Sequence, residues 1–244
     1  MTDDSFREFP APARLRHQVL SLWIHRTDVA VVRRAVPDGS AHIVCPIGAP
    51  AEFVGPAVAP TMRTVPAHTT VVGARLRPGA HWQGIGDELG ERLAEARSGR
   101  AALTVLARCL DELPRWERSD PIVAASVEAL LLDPRTSLDA VVAGSSLSGR
   151  QWRRHFIAET GMGPKTLQRL LRFQLVLQQV QAGLGRSQTP LARIAATVGY
   201  FDQAHFTHEC VRLTGVTPTS FVEQTALRCG ENHDHSAAFS MLRS

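Results

Sequence analysis

Two stretches in the last third of the chain share the frame Thr-Gly-x-x-Pro. One runs Thr160-Gly161-Met162-Gly163-Pro164 and the other Thr214-Gly215-Val216-Thr217-Pro218, an offset of 54 residues (214 − 160). The same offset pairs Ser148 with Asp202, Trp152 with Phe206 and Phe156 with Cys210. A repeat of this length means two copies of one supersecondary unit. Each copy reads as a helix, a tight turn and a second helix. Ser148 and Asp202 are the residue types that cap a helix start, and Gly161 and Gly215 are the type that ends one. The expected helices of the first unit are 138–143 and 149–159. Those of the second are 191–198 and 203–213, with a long helix over 165–182 between the units and a short one over 218–226.

The rest of the chain has a different texture. Leu15, Val19, Leu20 and Trp23 recur at near-helical spacing, so residues 10–24 read as a helix. From 29 to 76, short β-rich runs (Val29–Val32, His42–Cys45, Glu52–Val54, Thr69–Leu76) alternate with Gly/Pro turns. Helical period returns from 80 to 132, in stripes through Trp82, Ile85, Leu89 and Leu93 and through Leu103, Leu106, Leu110 and Leu113, followed by a helix over 122–132. The step Asp133-Pro134 then disfavours continued helix. The expected fold class is α+β. A small antiparallel β-sheet or barrel with flanking helices occupies residues 1–134. An all-α domain occupies 135–228, and a flexible polar tail occupies 229–244.

Charge follows that division. Residues 1–134 hold 15 Arg against 16 acids, whereas residues 135–228 hold 11 Lys/Arg against 5 acids. A local excess of positive charge over the repeat suits a phosphate backbone. In a helix-turn-helix the second helix enters the major groove with its first turns against base edges. In the first unit Trp152 and Phe156 share the inner face, which leaves Arg150, Arg153 and Arg154 outward. An arginine fork matches guanine O6 and N7, and glutamine matches adenine. In the second unit Phe206 is inner, and Gln203, Thr207 and His208 face out, with small Ala204 beside them.

The run Ile194-Ala195-x-x-x-Gly199-Tyr200-x-Asp202-Gln203-x-x-Phe206, continued by Thr214-Gly215-Val216-Thr217-Pro218, resembles the signature of the AraC/XylS family of transcription regulators. Leu147-Ser148-x-Arg150-x-Trp152-x-Arg154-x-Phe156 with Gly161 and Pro164 resembles that family's first helix-turn-helix. The resemblance covers about residues 135–225. It implies a seven-helix DNA-binding domain with both units on one rigid linker helix, and the outward residues named above as base readers. Two positions depart from the family pattern. His208 stands where Arg is usual, and Cys210 where a bulky Phe is usual. Histidine is a weaker, pH-dependent phosphate partner, so the second unit is expected to contribute less affinity than the first.

The N-terminal part resembles an uncharacterised domain found ahead of such DNA-binding domains, through Pro37-Asp38-Gly39, Gly55-Pro56 and Val72-Gly73-Ala74-Arg75-Leu76-Arg77-Pro78-Gly79. The analogy implies a sensor, with Trp23, His42, Arg75 and Trp82 as candidate ligand contacts. The alternative is that the two tryptophans merely plug the sheet. Scattered histidines and cysteines (Cys45, Cys109, Cys210, Cys229) lack metal-ligand spacing, so no metal, cofactor or catalytic set is expected. A His233-x-His235 pair in the tail is the nearest thing to a ligand motif. No signal segment or membrane-spanning run is expected, and the cysteine usage suits a reducing cytoplasm. The implied partners are duplex DNA, a small-molecule effector, RNA polymerase and a second copy of the chain. Two other readings stay open. One is a DNA-repair or other enzyme fused to such a domain. The other is a DNA binder whose N-terminal part only dimerises.

Overall fold

The computed structural model describes residues 4–80, 87–96, 98–112, 120–183, 191–228 and 233–234. The N-terminal half is built on strands β1 (Asp4–Pro10), β2 (Val19–Thr27), β3 (Val31–Ala35), β4 (His42–Pro46), β5 (Glu52–Val54), β6 (Thr61–Val65) and β7 (Thr69–Leu76). Helices α1 (Asp87–Ala94) and α2 (Gly99–Glu112) follow. The main sheet has the order β5-β4-β7-β2-β1 and is antiparallel throughout these five strands. The two residues His233–Asp234 add a short parallel strand, β8, beside β1. The other tail residues lie outside the described ones, His235 among them. β3 and β6 form a separate two-stranded ribbon, and the sheet is open rather than a closed barrel.

Residues 10–24 are not a helix. They form the end of β1, one 3-10 turn (Ala13–Leu15) and most of β2. The difference has a physical cause. β2 lies between β1 and β7, and Val19, Leu20, Ser21 and Leu22 are all buried. A strand buried on both faces shows no two-residue alternation, so its apolar spacing mimics a helix. The apolar side of the sheet (Leu22, Ile43, Val72, Ala74, Leu76) packs on Leu89 and Leu93 of α1 and on Leu103, Leu106 and Leu110 of α2.

The second core contains α3 (Pro121–Leu132), α4 (Leu138–Ala143), α5 (Gly149–Thr160), α6 (Pro164–Gly183), α7 (Leu191–Thr197), α8 (Gln203–Thr214) and α9 (Pro218–Arg228). Here the structure moves the boundary expected at residue 134. Val123, Val127, Leu130 and Leu131 of α3 are buried in one cluster with Trp152, Phe156, Leu167 and Leu170, which Leu20 of β2 also joins. The Asp-Pro step is therefore a loop inside the second unit. With α3 included, the described residues of this half make the seven helices that the family resemblance implies.

The halves also touch. The Gln174 side chain donates to the Pro37 carbonyl at 3.2 Å, and Arg34 donates to the Gln224 side chain at 3.0 Å. Gly39, at φ +78°, approaches α6 so closely that an added Cβ would lie 2.4 Å from Leu167 Cδ1. No helix among the described residues is long and apolar enough to cross a membrane.

Candidate nucleic-acid interface

The two outward helices are built by the same local chemistry. At the start of α5, Ser148 accepts the Gln151 amide, and the Gln151 side chain returns to the Ser148 amide, a capping box. Gln151 is thus spent on the cap. At the start of α8, Asp202 accepts the His205 amide at 2.7 Å. Both helices end at a left-handed glycine, Gly161 at φ 71° and Gly215 at φ 78°. The threonine before each glycine makes an identical set of bonds. The Thr160 hydroxyl donates to the Phe156 and Met162 carbonyls and accepts the Met162 amide. The Thr214 hydroxyl does the same with Cys210 and Val216. The sequence repeat is therefore a repeat of geometry.

Inward, Trp152, Phe156, Phe206 and Cys210 are all buried. Outward, Arg150, Arg153, Arg154, Gln203 and His208 are exposed, and no acidic side chain among the described residues pairs with the three arginines. Thr207 is half-buried, and its hydroxyl donates to the Gln203 carbonyl at 2.8 Å. That hydroxyl is turned to its own helix rather than outward.

Each outward helix is bolted to the body at the same repeat position, and sequence reading singled out neither bolt. On α5, His155 meets Asp120 at 2.8 Å. On α8, Glu209, 6% exposed, meets Arg169 of α6 at 2.8 Å. The signal was available, because His155 and Glu209 are 54 residues apart. The His155 hydrogen bond, with help from the Ile122 and Val123 amides, holds the Asp120 carboxyl below its usual range. The Trp152 indole adds a second bond to α3, donating to Ser126 Oγ at 2.9 Å.

This pairing of two capped outward helices on one connecting helix is accompanied by a sequence match. Residues 141–224 match the model of a helix-turn-helix domain. This is an AraC-type DNA-binding domain. A helix-turn-helix domain of this type supports a DNA-binding transcription regulator. Residues 7–92 match a family described as a domain of unknown function (DUF6597). No curated relative matches the chain. Among solved structures, the C-terminal domain of AraT, a response regulator from Geobacillus stearothermophilus, is similar at 22% identity. That alignment covers 44% of this chain and 88% of the other, with a TM-score of 0.37. ToxT from Vibrio cholerae O395 aligns at 8% identity over 91% of this chain and 97% of its own, with a TM-score of 0.43. ToxT bound to (E)-4-(8-methylnaphthalen-1-yl)but-3-enoic acid aligns at 6% identity over 90% and 98%, with a TM-score of 0.42.

The candidate ligand contacts of the N-terminal half are placed as follows. Trp23 stands opposite Gly73, and His42 opposite Arg75, so these residues share one face of the sheet. The Trp23 ring fills the space above Gly73, where a Cβ would lie 2.2 Å from its Cζ2. It also stacks on Phe6 with centroids 5.9 Å apart. Arg75, 5% exposed, meets Asp38 at 2.7 Å, and His42 meets the same carboxylate at 3.3 Å. Burial pushes the Asp38 carboxyl up, but Arg75 and then His42 outweigh it and hold it below the usual range. Nearby Glu8 is raised by burial, and it accepts a hydrogen bond from Ser21. The face is thus self-paired. Trp82 lies outside the described residues.

A cavity of about 350 Å³ opens elsewhere, between the halves. Its apolar floor includes Val123 and Val127 of α3, and its rim carries Arg16, Arg77, Glu128 and Glu159. Among the described residues, no group of three or more His, Cys, Asp or Glu could hold a metal ion.

Proposed function

We propose that this regulator reads DNA sequence with two reader helices, and that a small molecule bound between its halves adjusts that reading. The observation that carries the first part is the repeated, capped pair α5 and α8. Each presents exposed polar or cationic side chains while its inner face is locked into one core. Arg150 and Arg154 are the principal base readers of the first unit, and Gln203 serves the second. His208 is a phosphate or base partner, and Arg153 a phosphate contact. Selection of bound sites from random duplexes with the full chain tests this. Arg150→Ala and Arg154→Ala should relax base preference within one half of the selected site. Gln203→Ala should act about one helical turn away. Uniform weakening on every sequence would make these residues phosphate anchors instead.

The cavity supports the effector reading. Its floor includes α3, which holds α5 through Asp120 and Ser126, and its rim includes Arg77, which is paired with Glu128 of α3. A ligand shifts DNA binding only if it favours one of two states. Seating one against α3 gives it a lever on the first reader helix. Thermal-shift screening of a metabolite set against wild type and Val127→Trp, followed by operator affinity with each hit, tests this reading. A hit that stabilises both proteins equally, or leaves operator affinity unchanged, defeats it.

A further inference from the structure

We propose that Phe201 is a specificity-determining residue of the second unit, making apolar contact with the 5-methyl group of a thymine in the major groove. The proposal rests on the DNA reading above. Phe201 is 91% exposed, while the next most exposed large apolar side chain among the described residues, Met62, reaches 59%. The fold leaves this ring in water and presents it on a fixed backbone. Tyr200, just before it, is buried, with its ring edge-on to His205 and Phe206, each at a 5.3 Å centroid distance. Asp202, just after it, is tied to the His205 amide. With both neighbours anchored, Phe201 is held outward at the leading end of α8, beside exposed Gln203 and Ala204.

The first unit supplies a control within the same chain. The residue 54 positions earlier is Leu147, which is half-buried and packs against the core. The helix-turn-helix frame therefore has room to tuck an apolar side chain inward at this position, and the second unit instead turns one out. The leading end of the second helix is the end that meets base edges. Of the four bases, only thymine offers a methyl group in the major groove, and phenylalanine is among the side chains that meet it. A phosphate would find an aromatic ring flanked by the Asp202 carboxylate, a poor partner, so the chemistry points to a base edge.

The test uses the full chain and the duplex that the wild type selects from a random pool. Each thymine of that duplex is replaced singly by uracil, which pairs identically but lacks the methyl group. At one position in the half-site of the second unit, uracil should weaken wild-type binding by about tenfold, the scale of a single mismatched pair. Phe201→Ala should show the same loss on the unmodified duplex, no further loss at that uracil, and an unchanged salt dependence. Its melting temperature should match wild type, because the side chain supports nothing inside. The proposal is overturned if Phe201→Ala binds as the wild type does, or if no uracil position is silent in the variant. It is also overturned if the substitution only converts a dimer to a monomer, which would assign the ring to a second copy. A wild type that selects no duplex would overturn the DNA reading and the proposal with it.

Discussion

The two helix-turn-helix units share caps, end glycines and threonine hydrogen bonds, yet they are held by different parts of the molecule. The first reader helix is bonded to α3 twice, through Trp152 to Ser126 and His155 to Asp120. The second is bonded to α6 by buried Glu209 and half-buried Arg169, and its inner Phe206 has no polar group to bond. α3 also floors the cavity shared with the N-terminal half. α6 receives the Pro37–Gly39 loop. A common frame thus fixes how each helix is made, while the anchoring sets which part of the protein can move it. The outward residues differ as well. Arginines at 150 and 154 correspond by the repeat to Ala204 and His208. The first unit is the cationic one, and the second is smaller, less charged and more apolar at its leading end.

The largest effects should come from the inner faces. Trp152→Ala removes a buried aromatic and its bond to Ser126, and Phe206→Ala removes its counterpart. Each should cost about 3–5 kcal/mol in chemical denaturation. Both units share one continuous core, so each variant should unfold in a single transition. Two separate transitions would show that the units are independent.

Next comes the polar bolt of the second unit. Glu209→Ala should destabilise by about 1–3 kcal/mol, since it leaves the half-buried Arg169 without its partner, whereas replacing both residues by apolar ones should cost less. The first-unit bolt at His155 is more exposed and should cost less than the second. Equal costs would remove the distinction. DNA binding should then divide the units further. Arg154→Ala should weaken the selected site by about 1–3 kcal/mol. His208→Arg should strengthen binding and steepen its salt dependence by about one phosphate contact. If the salt slope does not change, position 208 does not face the backbone.

The smallest effect concerns acid. Asp120 has a depressed carboxyl pKa, so its contribution is present above the ordinary value near 3.8 and is lost as pH falls through the folded value. Asp120→Asn keeps a good cap for α3 but removes this ionisation. The variant should lose less stability than wild type between pH 5 and pH 3 in thermal melts. Parallel curves for the two proteins would refute the assignment.

Much of this was legible in the sequence. The repeat, the caps Ser148 and Asp202 and the stops Gly161 and Gly215 are local signals, and each lands where expected. The outward positions followed from helical period, because Trp152 and Phe156 fix the inner face. What stayed hidden depended on partners distant in sequence. The packing of α3 under α5 cannot be read from its own residues, which are apolar on most sides. β2 was concealed by burial on both faces. Helical period places Thr207 on the outward face but does not show that its hydroxyl is held by the Gln203 carbonyl. Arg75 and His42 stand opposite each other in the register of β4 and β7. Their satisfaction by Asp38 only became visible in three dimensions.

The helix between the units has a consequence of another kind. α6 spans 20 residues, and at a rise of about 1.5 Å each it measures about 30 Å. One turn of duplex is about 34 Å. A single unbroken helix of this length is a ruler, and it fixes rotational phase as well as distance. Half a turn of extra base pairs between two half-sites would carry the second one to the far side of the duplex, where α8 cannot follow. On the proposed two-helix reading, operators would tolerate substitutions more readily than insertions, and a mismatch in pitch would be absorbed by bending the DNA.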